Sequence, residues 1–225
     1  MHRTVDGWID EYEKRGALYI YNGDPKYPHP VLTSHFHSSG FFNSRLVISD
    51  RDLLQQAVSD LAELFLLQSP GNPNIVAGPQ KGATELAKLL SLQLSFVTGV
   101  ECSWMSPEKG LRDGKKCMVF SPKDREALSG AFILPCEDVV TTGGSVELMI
   151  DEVKDADGMV MDYILCLVNR SGLGEIGGKN VIALIEYEMP KWTAEECPLC
   201  KEGSPPVFAT KDNWSRFASV QSTFL

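Results

Sequence analysis

The stretch Phe132-Ile-Leu-Pro-Cys-Glu-Asp-Val-Val-Thr-Thr-Gly-Gly-Ser-Val146 limits what this chain can fold into more than any other. Phe132 to Leu134 is a short apolar run that reads as the end of a buried strand. Two adjacent acids, Glu137 and Asp138, follow. Val140 then leads into Thr141, Thr142, Gly143, Gly144 and Ser145, a turn of small hydroxyl residues and glycine. Beyond it Val146, Met149, Ile150 and Val153 recur at helical spacing. The order is strand, acid pair, small polar loop, helix.

That order has a chemical meaning. A loop feeding a helix N-terminus presents unpaired backbone N–H groups and the positive end of the helix dipole. Glycine lets the backbone come close to a ligand, and the hydroxyls of Thr141, Thr142 and Ser145 donate hydrogen bonds. Together these suit a phosphate. The acids repel phosphate, but they accept hydrogen bonds from sugar hydroxyls or help hold a divalent cation. A phosphate beside two vicinal hydroxyls describes a ribose 5-phosphate. Pro135 interrupts the apolar strand and removes a ladder donor.

A second strand–loop–helix unit precedes the first. Asn74 to Ala77 reads as a short buried strand, and Gly78-Pro-Gln-Lys-Gly82 as a loop before a helix with Leu86, Ala87, Leu89 and Leu90 inward. Gly78, Pro79, Gln80, Lys81 and Gly82 can hold a second anion through backbone N–H groups. A Gly-rich turn alone is weak evidence; paired with the later loop it gains weight.

The remaining segments fit one α/β domain with additions. Residues 4–15 read as a helix, Ala17 to Tyr21 as a strand, and Ser49 or Asp50 as the cap of a helix running to about Leu67. Leu94 to Val97 reads as strand and residues 121–130 as a polar connection. Thr98 to Lys116 is either a long loop acting as a lid or a solvated hairpin. Gly158 to Val168 is a strong strand signal, and Arg170 follows its carboxyl end, where doubly wound sheets bind ligands. On position alone a surface arginine is as good a reading. Thr193 to Glu196 has the form of a capping box, and Trp214 and Phe217 in the tail are expected to pack on the core.

Composition excludes some partners. The net charge of −9 argues against non-specific nucleic-acid binding and against an anionic membrane surface. No apolar run reaches the length of a membrane span, and the N-terminus lacks a signal-peptide core. Six scattered cysteines, several in apolar segments, favour reduced thiols and a cytoplasmic home. Cys197-Pro-Leu-Cys200 has the spacing of half a zinc site, but no second close pair of Cys or His completes it in the sequence.

Glu137 to Ser145 resembles the phosphoribosyl pyrophosphate signature of the type I phosphoribosyltransferases, with Glu in place of the usual first Asp. The flanks resemble the orotate-using branch. Leu32-Thr33-Ser34, His37-Ser38 and Phe41-Phe42-Asn43 resemble its N-terminal segment, where the aromatic pair lies against the pyrimidine. Val168-Asn169-Arg170-Ser171-Gly172 resembles the segment whose arginine pairs with the orotate carboxylate, a bidentate geometry that suits Arg. Trp192 to Gly203 resembles the C-terminal end of one bacterial group. The segment Glu101 to Lys116 departs from the Arg-Lys pair and Lys-x-His-Gly of that branch, and His35-Phe36 also differs from its pattern.

The resemblance implies a mostly parallel twisted sheet flanked by helices. The core would span about residues 46–170 and a small hood about 17–45 and 171–206 of a single domain. It implies transfer of phosphoribose from 5-phosphoribosyl 1-pyrophosphate to orotate, with pyrophosphate leaving. Val140 to Ser145 would anchor the 5-phosphate, Glu137 and Asp138 the ribose hydroxyls, and Gly78 to Gly82 the pyrophosphate. Phe41, Phe42 and Arg170 would select the base. Lys109 and Arg112 are candidate catalytic cations of the closing loop. Mg²⁺ would come with the substrate, near Glu137 and Asp138, without direct protein ligation being expected. A homodimer goes with the resemblance. Two alternatives remain open at this point: another base such as a purine, or a non-catalytic sensor of the same pyrophosphate.

Overall fold

The fold is built outward from the strand that carries the acid pair. In a computed structural model describing residues 2–68 and 71–221, Phe132–Val140 is the longest strand and lies near the middle of the main sheet. The strand order is Glu175–Ile176, Lys179–Glu186, Tyr163–Asn169, Phe132–Val140, Ile75–Ala77, Ser103–Met105. All these pairings are parallel except that of Glu175–Ile176 with Lys179–Glu186. Residue parity divides the core. Val76, Leu134, Cys136, Leu165 and Leu167 face the helices Arg51–Leu66 and Thr84–Thr98. Ile75, Ala77, Ile133, Ile164 and Cys166 belong to clusters that include Met149, Ile150 and Val153 of the helix Gly144–Asp155. This is the alternation that a sheet covered on both faces requires.

Pro135 explains an interruption in the neighbouring strand. Met161 N donates to Ile133 O on one side, and Asn74 N is bonded to Phe132 O on the other. Odd residues here therefore bond toward the strand that follows the helix, so the N–H missing from Pro135 faces that neighbour. There the neighbour is broken: Met159–Val160 pairs with Phe132 and Ile133, and pairing resumes at Leu165 with Cys136. The single strand expected over Gly158–Val168 is thus two.

The hood is a separate four-stranded sheet in the order Lys191–Trp192, His37–Ser38, His29–Val31, Pro206–Phe208. Leu18–Ile20 pairs antiparallel with Gly40–Phe42 beside it. Both ends of the chain meet here. Trp214 Nε1 donates to Gly16 O at 3.0 Å, and the Phe217 ring lies 4.9 Å from Tyr19. The strand Lys179–Glu186 sits in the main sheet although it falls inside the span expected for the hood.

Three local readings change. Leu94 to Val97 is the last turn of the helix Thr84–Thr98, which buries Leu86, Ala87, Leu90 and Leu94 at helical spacing and ends at Gly99 with φ of 69°. A short apolar run does not by itself distinguish strand from helix. Residues 121–130 contain the helix Pro122–Leu128, with Ser121 accepting from Asp124 N at 3.1 Å and proline in the first turn. Thr193 Oγ1 accepts from Glu196 N at 3.3 Å, but only a turn follows, and the helix begins at Pro198.

Residues 108–119 form a hairpin, Glu108–Arg112 with Lys115–Val119. Glu152, 3% exposed on the helix Gly144–Asp155, fastens it. Arg112 donates to both carboxylate oxygens at 2.9 and 2.8 Å, and Arg125 from the helix Pro122–Leu128 pairs with the same carboxylate. Removing both cations strands a buried negative charge, a loss of about 3–5 kcal/mol. The double variant Arg112→Ala/Arg125→Ala should therefore unfold at markedly lower denaturant, and adding Glu152→Gln should recover most of the loss. Equal stability of the double and triple variants in urea titrations would show that the carboxylate is not held by these arginines.

Candidate active site

A cavity of about 1050 Å³ opens beyond the carboxyl ends of the strands Phe132–Val140 and Tyr163–Asn169. Its wall includes Glu137, Asp138, the whole run Val139 to Leu148, and Arg170 from the core. Thr33, Ser34, Phe41 and Arg45 come from the N-terminal segment, Lys109, Lys116 and Cys117 from the hairpin, and Thr210 and Lys211 from the C-terminal segment.

The loop is shaped by Gly143, whose φ of 82° lies in the left-handed region. A Cβ there would also sit 3.0 Å from Ile176 Cγ2, so a side chain would strain the backbone and press on Ile176. Glu147 N donates to Gly143 O at 3.0 Å and starts the helix. Thr142 Oγ1 accepts from Gly144 N at 3.4 Å, and Lys191 Nζ from the hood donates to Thr141 O at 3.2 Å. Thr141, Thr142, Gly143, Gly144 and Ser145 therefore line the cavity at a helix N-terminus, the arrangement that receives anions.

The acid pair is electrostatically strained. Glu137 is buried, and its Oε1 accepts from Asp138 N at 3.3 Å. Burial first, then the neighbouring Asp138 charge, pushes the Glu137 carboxyl well above the usual carboxylate range, while Lys109 opposes the shift. Asp138 lies directly against the second loop. A Cβ on Gly82 would come within 2.8 Å of both Asp138 carboxylate oxygens.

That second loop is bonded down on its far side. Gly78 N donates to Met105 O at 3.1 Å, Gln80 N to Pro107 O at 2.9 Å, and Ser106 Oγ to Gly78 O at 2.8 Å. Gly78 itself is required, since a Cβ would lie 2.7 Å from Ala83 O. The peptide between Gln80 and Lys81 is cis. Gly78, Pro79, Gln80, Lys81 and Gly82 lie beside the large cavity rather than in its wall, meeting it where Gly82 abuts Asp138. The Lys81 residue is exposed.

The predicted base contacts divide. Phe41 lines the cavity, with its ring 5.6 Å from Trp214. Phe42 also reaches the cavity wall, but it is only 2% exposed and packs edge-on to Tyr12 at 5.3 Å and to Tyr187 at 5.8 Å. Arg170 reaches from the core strand into the hood. Its Nη1 donates to Gly40 O at 3.0 Å and its Nη2 to Ser38 Oγ, while its Nε has no partner among the described residues. Burial lowers Arg170 to about 10, which leaves it charged at neutral pH. Of the hairpin cations, Lys109 lines the cavity and Arg112 does not, being committed to Glu152. Lys116, Arg45 and Lys211 also line it; no local motif marks them, because three distant segments supply one each.

Comparison places this architecture. No family model matches the chain. The fold is that of the type I phosphoribosyltransferases. Crystal structures of orotate phosphoribosyltransferase from Aeropyrum pernix (TM-score 0.58, 23% identity, 78% of this chain and 91% of that one) and of adenine phosphoribosyltransferase from Saccharomyces cerevisiae (TM-score 0.54, 15% identity, 80% and 100%) share it. Sequence narrows the class: orotate phosphoribosyltransferase of Heliobacterium modesticaldum is 34% identical over 180 residues, covering 80% of this chain and 87% of its own. The chain belongs to the orotate phosphoribosyltransferase family.

The buried Glu137 should oppose folding above pH 4.5, its ordinary value. Below that value it is protonated in both states and contributes nothing. As pH rises toward its raised folded value, the folded protein holds a proton that the unfolded chain has lost, so stability falls. Glu137→Gln should then melt higher than wild type at pH 7, by about 2–4 °C for each kcal/mol recovered, with no gap below pH 4.5. A gap that does not close on acidification would mean that the carboxyl is not held in its neutral form by burial.

Proposed function

We propose that this chain transfers phosphoribose from 5-phosphoribosyl 1-pyrophosphate to orotate, yielding orotidine 5′-phosphate and pyrophosphate. The observation that carries the reading is Asp138. It stands where the strand-to-helix loop and the Gly78–Gly82 loop converge, so a sugar held there has one phosphate-binding loop on each side.

The residues divide the work. The loop Thr141 to Ser145 receives the 5-phosphate with hydroxyls and helix-terminal N–H groups. Asp138 and Glu137 accept hydrogen bonds from the 2- and 3-hydroxyls. As pyrophosphate departs, positive charge develops on the ribose ring, and carboxylates already fixed nearby stabilise it without reorganisation. The binding of sugar hydroxyls and cations favours the ionised form of Glu137, offsetting the strain present in the free site. Gly78 to Gly82 holds the leaving pyrophosphate. Mg²⁺, which the acid pair beside Gly82 suits, would neutralise charge on that leaving group. Lys109 and Lys116 close the site from the hairpin and exclude water. Phe41 stacks on the pyrimidine, and Arg170, in the cavity wall, supplies positive charge for its carboxylate. We assign the working form as a homodimer in the cytoplasm. No helix among the described residues is long and apolar enough to cross a membrane.

Incubation with orotate, 5-phosphoribosyl 1-pyrophosphate and Mg²⁺ should consume the orotate absorbance, while adenine or guanine in its place should give no transfer. Asp138→Asn should retain the fold by circular dichroism and lower kcat by about 10²–10³, the range for losing one preorganised electrostatic contact. Unchanged turnover would remove the acids from the mechanism. Arg170→Lys should raise KM for orotate by about tenfold or more, equivalent to about 1.4 kcal/mol, with KM for the pyrophosphate substrate unchanged. A rise in both constants would mean that the arginine acts only as a structural strut.

A further inference from the structure

Two histidines and two cysteines from opposite ends of the chain meet inside the hood, away from the cavity wall. They are His29 and His37, on adjacent strands, and Cys197 and Cys200, at the start of the helix Pro198–Lys201 and within it. One donor atom from each lies within 4.8 Å of every other. His29 Nε2 is 2.9 Å from His37 Nδ1, 3.6 Å from Cys197 Sγ and 3.5 Å from Cys200 Sγ, and His37 Nδ1 is 3.3 Å from Cys200 Sγ.

Hydrogen bonding fixes which way the lone pairs point. Ser204 Oγ donates its only proton to Tyr27 O at 2.8 Å, so toward His29 Nδ1, also at 2.8 Å, it can only accept. His29 therefore carries its proton on Nδ1, and Nε2 presents a bare lone pair to the other three groups. This is how an outer partner orients a metal-binding imidazole. A second ring nitrogen and two sulfurs surround that lone pair at one buried point.

We propose that His29, His37, Cys197 and Cys200 form a tetrahedral zinc site that clamps the two ends of the chain together. A tetrahedron with Zn–N of about 2.05 Å and Zn–S of about 2.3 Å has edges of about 3.3 Å between nitrogens, 3.5 Å between N and S, and 3.8 Å between sulfurs. The three N–S distances, 3.3 to 3.6 Å, match those edges, and the N–N distance of 2.9 Å is slightly short of its own. Two thiolates balance the divalent charge, so the buried complex is neutral. Soft sulfur with imidazole selects zinc over Mg²⁺ or Ca²⁺. Four protein ligands leave no open position, so the ion is structural and not a Lewis acid for the reaction. What it joins is specific: the strands His29–Val31 and His37–Ser38 of the hood to the helix after Trp192.

The test is metal content. Protein grown with zinc and purified under reducing conditions should contain about one zinc per chain by plasma mass spectrometry. Cys197→Ser and Cys200→Ser should each lose it, and Cys102→Ser should keep it. A strong zinc chelator should lower Tm, and Zn²⁺ but not Mg²⁺ should restore it. If the cysteine variants do not fold, the wild type decides alone: the reduced, chelator-treated chain titrated with Co²⁺ should develop thiolate-to-cobalt charge-transfer and tetrahedral d–d bands that saturate at one equivalent. Metal-free protein whose reduced form takes up neither zinc nor cobalt would overturn the proposal, as would zinc that survives the Cys197→Ser/Cys200→Ser double variant.

Discussion

The carboxylate of Asp138 rests against the backbone of Gly82, closer than any side chain at that position would allow. Two loops are thereby locked together that lie about 56 residues apart in sequence. The parallel sheet makes the contact possible. Ala77 is registered with Pro135 on the adjacent strand, so the chain leaving Ala77 and the chain leaving Pro135 emerge on the same edge and in the same direction. One must become a tight glycine loop so that the other can carry an acid. Glu137 follows from the same geometry. Its side chain is buried beside Asp138, and its raised proton affinity is the cost of having a second carboxyl where a sugar's neighbouring hydroxyl has to be met.

The base end depends on a different short segment, His37 to Gly40. Ser38 and Gly40 take the two terminal nitrogens of Arg170, Ser38 Oγ also donates to Pro190 O at 2.7 Å, and His37 belongs to the buried four-donor cluster. Gly40 is further constrained, because a Cβ would lie 2.8 Å from Tyr19 O. Phe41 therefore projects into the cavity from a strand fixed on both sides. A rigid platform for an aromatic contact is what positioning requires, since a misplacement of about 1 Å is enough to impair catalysis. The hood has a small aromatic core of its own, Tyr19, Val207, Trp214 and Phe217, and the bonds of Arg170 and the four-donor cluster add to that packing.

Much of this was legible in the residues, and the reason is locality. The acid pair, the glycine loop and the following helix are consecutive, so their chemistry and spacing can be read directly. The second glycine loop was legible for the same reason. Features assembled across the chain were not. His29 and His37 look unremarkable beside Cys197 and Cys200 until the two ends of the chain share a sheet. Arg112 and Lys109, three residues apart in one basic segment, separate only when the buried Glu152 claims the first and leaves the second in the cavity wall. Leu94 to Val97 has strand-like composition, yet a buried face begun at Leu86 carries it into the helix. Tertiary burial overrides local propensity there.

The dispersal of the cations has its own logic. A chain of net charge −9 has to receive an anionic ligand, and the cations in the cavity wall come from separate elements: Arg45 from the N-terminal segment, Lys109 and Lys116 from the hairpin, Arg170 from the core and Lys211 from the C-terminal segment. Of these elements only the hairpin is basic in itself, with Lys109, Arg112, Lys115 and Lys116, and there Arg112 is neutralised by Glu152; the others supply one cation each to the wall. These cations gather where hood, hairpin and core face one another. The hairpin is tied at Arg112 to the helix that begins at the phosphate loop, so Lys109 and Lys116 are held in the wall of the same cavity as that loop.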